Sequence, residues 1–221
     1  MADASFKPAL RFDALTGLFD PVVAATTREG TFKRQVLHHA ALDHGEQALD
    51  LGCGTGTLAL MAQAREPGAT VVGLDADPAI LERARAKAAA ANAPVSFDEA
   101  FSTQLPYETE RFDVVFSTLF FHHLTDADKR TTATEILRVL RPGGRLVVAD
   151  LGRPHDPFMR LVAAATVQLL DGRETTSLNV GGGLPVLFSG AGFGNVNVTD
   201  RLRTPVGTIE IVVGRRPAAA A

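Results

Sequence analysis

The sequence predicts an α/β fold: a doubly wound sheet, mostly parallel, closed by one antiparallel strand. Three observations carry this. The apolar run Ala48-Leu49-Asp50-Leu51 is followed at once by glycines at alternate positions, Gly52, Gly54 and Gly56, and then by a helical stretch from Thr57 to Ala64. That is the strand, turn, helix order of an α/β unit. The next apolar run, Val71-Val72-Gly73-Leu74, closes on Asp75, roughly twenty residues past the glycines. Near the end, Val196-Asn197-Val198-Thr199 and Thr208 to Val213 are strand-like runs joined only by a segment with Pro205 and Gly207, so they pair antiparallel.

The remaining elements follow from punctuation and period. Residues 1 to 20 have scattered apolar positions (Phe6, Leu10, Phe12, Leu15, Leu18, Phe19) suited to short helices, and Phe19-Asp20-Pro21 stops one and starts the next. Thr31 to Leu42 carries Phe32, Val36 and Leu37 near helical spacing. This gives an N-terminal helical cap over residues 1–44 and a sheet domain over 45–221, effectively one domain, with a helical lid inserted over 151–190. Asp77-Pro78 caps a helix through Ala91, ended by Asn92-Ala93-Pro94. Val95 to Phe97 reads as the third strand and Phe112 to Ser117 as the fourth, whose Val-Val-Phe run suits burial on both faces. Thr125 is the N-cap of a helix to Leu140, with Asp126 and Asp128 where the helix dipole favours acids. Arg141-Pro142-Gly143-Gly144 breaks that helix, and Arg145 to Asp150 is the fifth strand. Phe158 to Leu170 is apolar on most faces, which suits core or a cover over an apolar ligand. Asp171 to Ser177 reads as a polar, mobile link, Leu184 to Ser189 as a short helix, and Pro217 to Ala221 as a frayed tail.

Composition narrows the function classes. At 221 residues, 46% hydrophobic and 21% charged, the chain has the balance of a soluble globule with a sizeable core. A net charge of −3 gives no electrostatic reason to expect nucleic acid. No apolar run reaches membrane-spanning length, and Met1 to Lys7 lacks the blocks of a signal peptide. The single Cys53 fits a reducing compartment, so a cytoplasmic location is expected. The expected partner is a small-molecule substrate, with a homodimer as the one assembly considered.

The glycine turn brings backbone close to a ligand, and Asp75 stands where an acid accepts ribose hydroxyls. A dinucleotide would bring pyrophosphate to this turn, and the Asp50 carboxylate would repel it. S-adenosylmethionine brings an α-ammonium and a sulfonium instead, so a negative strand end suits the methyl donor.

Asp50-Leu51-Gly52-Cys53-Gly54-Thr55-Gly56, Gly73-Leu74-Asp75, Phe112-Asp113-Val114-Val115 and Leu140-Arg141-Pro142-Gly143-Gly144-Arg145-Leu146 occur in that order. From about Arg28 to Phe193 the chain resembles class I S-adenosylmethionine-dependent methyltransferases, of the type that includes quinone-biosynthesis enzymes. The resemblance implies a Rossmann-like, seven-stranded sheet and S-adenosyl-L-methionine as cofactor, with S-adenosyl-L-homocysteine as product. It implies cofactor contacts at Asp50, Gly52, Cys53, Gly54, Asp75, Ala76 and Ser117. Phe19 stands where a Tyr is common, which removes a hydroxyl. The spacing behind the third strand is expanded, so the backbone of Ala100 and Phe101, rather than Asp98 or Glu99, is taken as the adenine neighbour. Arg28, Lys33 and Arg34 stand either as contacts to the methionine carboxylate or as a solvated helix face.

Methyl transfer needs an aligned nucleophile, and a base only where that nucleophile must lose a proton. Phe120-Phe121-His122-His123-Leu124 leaves the fourth strand, and His122, ahead of His123, is the candidate base, against a packing role for one and exposure of the other. Phe120 and Phe121 fit a substrate wall or core equally. Ser117-Thr118-Leu119-Phe120 is not the motif that grips an exocyclic base amine, and Cys53, locked in the turn, is no thiolate nucleophile. Asp150 followed by Leu151-Gly152 is an isolated acid, so no metal site is expected. The reading left is C- or O-methylation of a small, partly apolar acceptor, quinone-, phenol- or polyketide-like. Its rivals are a non-catalytic S-adenosylmethionine-binding protein and, disfavoured by Asp50, an NAD-dependent oxidoreductase.

Overall fold

The computed structural model describes residues 29–165, 173–205 and 207–218. In chain order these form α1 (Glu29–Ala40), β1 (Gln47–Leu51), α2 (Thr57–Arg65), β2 (Thr70–Asp75), α3 (Pro78–Ala90), β3 (Ser96–Glu99) and β4 (Phe112–Thr118). A single 3-10 turn at Phe121–His123 precedes α4 (Asp126–Val139), β5 (Leu140–Leu151), α5 (Pro157–Ala165), α6 (Arg173–Val180), α7 (Leu184–Ala191), β6 (Gly194–Thr204) and β7 (Gly207–Arg215). The seven strands form one sheet in the order β3-β2-β1-β4-β5-β7-β6. β7 alone runs against its neighbours, pairing antiparallel with both β5 and β6. The expected sheet is therefore the observed one, and Phe19 and Arg28 lie outside the described residues.

Two apolar layers sandwich the sheet. On one face, Phe32, Val36, Leu37 and Ala40 of α1 pack with Leu58, Ala59 and Ala62 of α2 and with Leu81, Ala84 and Ala88 of α3. Ala48 of β1 belongs to that layer, while Leu49 and Leu51 face the other, the alternation of a strand buried on both sides. The second layer holds Ala133, Ile136 and Val139 of α4 with Leu184, Leu187 and Phe188 of α7. Asp77 caps α3 by accepting from the backbone N–H of Ala79 at 2.9 Å, and Thr125 caps α4 by accepting from Asp128 at 3.2 Å. Among the described residues no helix is long and apolar enough to cross a membrane.

Two elements differ from expectation. β5 starts at Leu140, directly after α4, rather than at Arg145. Leu140 pairs with Phe112 before the register shifts, and a Cβ at Gly144 would lie 2.8 Å from the Arg141 carbonyl oxygen. The glycine pair thus makes a bulge inside the strand instead of a break before it. Residues 173–177, expected in a polar link, open helix α6. Thr176 and Asn179, three apart on that helix, are fully buried, so its inner face is polar because its packing surface is polar. The rest of the expected link, and of the apolar stretch up to Leu170, lies outside the described residues.

Candidate active site

Strand order reverses between β1 and β4, so the crevice at their C-terminal ends is where an open α/β sheet takes ligands. The glycine turn stands there, tied to its own sheet. Gly52 and Cys53 both donate their backbone N–H to the Leu74 carbonyl, at 2.8 and 3.0 Å, and Gly56 donates to the Cys53 carbonyl at 2.9 Å. Gly54 donates to Asp75 Oδ2 at 2.9 Å, and Asp77 donates to Asp75 Oδ1 at 3.1 Å. The backbone N–H groups of Gly54, Asp77 and Ala76 thus serve the Asp75 carboxylate from within the protein, and its remaining acceptor capacity faces the crevice for a hydroxyl. Burial pushes the Asp75 carboxyl above its ordinary range, against those backbone bonds. Ala76 follows it directly, and Ala100 donates its N–H to the Asp75 carbonyl at 3.1 Å, which brings the β3 exit beside the β2 end. Phe101 is exposed. Asp98 is engaged elsewhere: its Oδ2 accepts from the Tyr107 hydroxyl at 2.9 Å. Burial, then that bond, pushes the Tyr107 phenol up.

Asp50 is 1% exposed and lies behind the turn. It accepts from the Ala59 N–H in the first turn of α2, a helix whose N-cap, Gly56, offers no side-chain cap. Burial raises its pKa to about 7, while the charge of Lys33 on α1 pulls it down. Its Oδ2 has no hydrogen-bond donor among the described residues. Lys33 itself is buried in an ion pair with Glu29, and Arg34 is exposed. Cys53 is buried, and its thiol is pushed well up, first by burial and then by Asp50 and Asp75.

At the β4 exit, Ser117 is buried and donates its hydroxyl to the Leu51 carbonyl at 2.7 Å, binding β4 to the end of β1. Phe120 lies over the turn: Gly52 has a φ of +68°, and a Cβ there would lie 2.3 Å from Phe120 Cδ2. Phe121 instead enters the core, edge-on to Phe188 at 5.3 Å. Phe121 thus fills core, while Phe120, half-buried, packs between that core and the turn.

The backbone of this pair is held by Asp150 at the end of β5. Asp150 Oδ2 accepts from the N–H of Phe120 at 2.9 Å and of Phe121 at 2.7 Å. Its Oδ1 meets His122 Nδ1 at 2.8 Å, the Leu151 N–H at 2.7 Å and Asn179 Nδ2 at 3.2 Å. Burial alone would raise the Asp150 carboxyl, but His122 and these donors hold it below its ordinary range. A carboxylate so held is ionised, so His122 carries its proton on Nδ1 and presents Nε2 as the basic nitrogen. His122 is buried and His123 exposed, with their rings 3.9 Å apart. Lys129 of α4, fully buried beside this cluster, reaches Asp126 at 3.3 Å and donates to the Thr175 carbonyl of α6. Burial lowers its pKa, against Asp126. Asp150, Asn179 and Lys129 are the site residues that sequence reasoning missed. Asp150 reads in the sequence as an isolated acid, because its partners lie on other elements.

A family model described as a methyltransferase domain matches residues 48–144. With the fold and the turn described above, the chain belongs to the class I S-adenosylmethionine-dependent methyltransferases, of the type that includes quinone-biosynthesis enzymes. Its relatives include the demethylmenaquinone methyltransferase of Thermus thermophilus, 42% identical over 59% of this chain and 59% of that protein. The demethylmenaquinone methyltransferase of Clavibacter sepedonicus is 32% identical over 76% of this chain and 72% of its own length. The match thus spans about three fifths of the first of these relatives. Among solved structures, the YcgJ protein of Bacillus subtilis superposes with a TM-score of 0.67 over 85% of this chain and 98% of its own, at 17% identity, which is a likeness of fold.

The residues present fit S-adenosylmethionine. Nothing lies within 4 Å of where a Gly54 Cβ would stand, so the turn offers open backbone to a ligand. The Asp50 oxygen, without a donor among the described residues and on a carboxyl whose pKa burial raises to about 7, is suited to a cation that favours its ionised form. The head of α2, where a dinucleotide's pyrophosphate would dock, already holds the Asp50 carboxylate.

Proposed function

We propose that this chain transfers a methyl group from S-adenosylmethionine to a small, partly apolar acceptor of the quinol, phenol or polyketide type, on carbon or oxygen. The observation that carries the reading is the His122–Asp150 pair, joined to the cofactor turn through Phe120 packed on Gly52. When bound, the cofactor supplies an electrophilic methyl on a sulfonium and leaves as S-adenosylhomocysteine. In this reading Asp75 holds the ribose, Asp50 faces the positive end of the donor, and the backbone near Ala100 and Phe101 borders the adenine. His122 takes the acceptor's proton at Nε2 while Asp150 keeps Nδ1 protonated and balances the imidazolium charge.

The test is a labelled-methyl screen over quinols, phenols and small amines, run with His122→Ala beside the native chain. Transfer to a quinol or phenol is expected, falling by roughly 100-fold or more in the variant, with S-adenosylhomocysteine affinity retained. Tight S-adenosylhomocysteine binding with no acceptor labelled would identify a binding protein instead. Full activity of His122→Ala refutes the base.

A further inference from the structure

We infer that Asn179 is a positioning residue for the His122–Asp150 pair, and that through it α6 sets the basicity of His122. The inference rests on the reading of His122 as the base and adds to it a third residue, from the helix packed against the 3-10 turn and β5.

Asn179 donates through Nδ2 to Asp150 Oδ1, the same oxygen that His122 Nδ1 meets. Its own Oδ1 has no donor among the described residues, and the side chain is fully buried. A buried amide whose carbonyl oxygen is unmet is a poor choice for stability; leucine, with the same branched shape and number of side-chain heavy atoms, would bring no polar atom to satisfy. What the amide provides that leucine would not is a fixed, uncharged donor on the carboxylate. Such a donor draws charge from Asp150, which weakens its pull on the imidazolium and holds His122 nearer to its neutral, proton-accepting form. α6 is fastened on the same side by the bond from Lys129 to the Thr175 carbonyl, so the placement of Asn179 is set by α4 as well. The charged and titratable groups around the pair are His123, whose ring lies tilted against that of His122 at 3.9 Å, and from α4 Lys129 with Asp126. None of these contributes a hydrogen bond to Asp150 among those described, whereas Asn179 does.

The experiment compares the native chain with Asn179→Leu, Asn179→Ala and a control, Ser177→Ala, on the exposed side of the same helix. The His122 imidazole is titrated by NMR, S-adenosylhomocysteine affinity is measured by calorimetry, and pH–rate profiles are recorded with an acceptor found by the methyl screen. Both Asn179 variants are expected to move the His122 midpoint up by about half a unit. The acid limb of the rate profile should follow, the rate on that limb should fall by about threefold, and cofactor affinity should stay within about twofold. Ser177→Ala should move none of these. An unmoved His122 midpoint in both Asn179 variants overturns the inference, even where His122→Ala is inactive. A moved midpoint together with a fully active His122→Ala overturns the base assignment and leaves the positioning standing.

Discussion

Cofactor binding is expected to expel a proton from Asp50. The group is 1% exposed, and burial holds its pKa at about 7 in the unliganded chain. At pH 6 such a carboxyl is about 90% protonated, and at pH 7 about half. A donor that sets a positive charge against Asp50 Oδ2 returns the group toward its ordinary range, so binding should release about 0.9 proton at pH 6, about 0.5 at pH 7 and about 0.1 at pH 8. Calorimetry of S-adenosylmethionine binding in buffers of different ionisation enthalpy counts these protons. Affinity should accordingly rise with pH, by up to about tenfold per unit below pH 7. The same shift has a sign for stability. With its folded pKa raised, Asp50 binds more protons folded than unfolded between about pH 4 and 7, so the unliganded chain loses stability as the pH rises through that window. The loss is at most about 1.4 kcal/mol per pH unit. Asp50→Asn should abolish both effects and stabilise the unliganded chain at pH 8 by up to about 4 kcal/mol. Zero proton release at pH 6, or the same release from Asp50→Asn, refutes the electrostatic argument for the methyl donor.

Asp75→Ala should weaken S-adenosylhomocysteine binding by about 2–4 kcal/mol, since charge-assisted bonds to the ribose disappear; unchanged calorimetric affinity would place the ribose elsewhere. Gly52→Ala should lower both thermal stability and transfer rate. Its φ of +68° is strained for alanine, by about 1–2 kcal/mol, and the added methyl displaces Phe120 from a position 2.3 Å away. Removing the ring with Phe120→Ala in the Gly52→Ala background takes away the Cδ2 and Cγ contacts at 2.3 and 2.5 Å and should restore part of the stability, and no restoration would refute the contact.

The fold was legible because its signals are local. Glycines at alternate positions after Leu51, the Asp77-Pro78 cap and the apolar runs of β1, β2 and β4 each lie within one stretch of chain. So does the cofactor turn, where Asp50, Gly54 and Asp75 belong to a single strand-turn-helix-strand unit. The pair at His122 was half legible: the histidine stood out, but its partner lies 28 residues away at the end of another strand. Asn179 is a further 29 residues on. Nothing in Arg173-Glu174-Thr175-Thr176-Ser177 distinguishes a link from a helix whose buried face is polar; only the presence of Asp150 and Lys129 beneath it makes that face a packing surface. Likewise Leu140-Arg141-Pro142-Gly143-Gly144 reads as a helix stop, and it becomes strand because Phe112 waits opposite Leu140.

The knot of bonds at the glycine turn bears on how such a protein could change its chemistry. The amides of Gly52, Cys53, Gly54 and Gly56 all answer to the chain itself, and the mouth of α2 is stoppered by a carboxylate. Neutralising Asp50 would unplug that mouth without freeing a single one of those amides for phosphate oxygens. Retrofitting the scaffold for a redox nucleotide would therefore demand a new loop, not a new side chain.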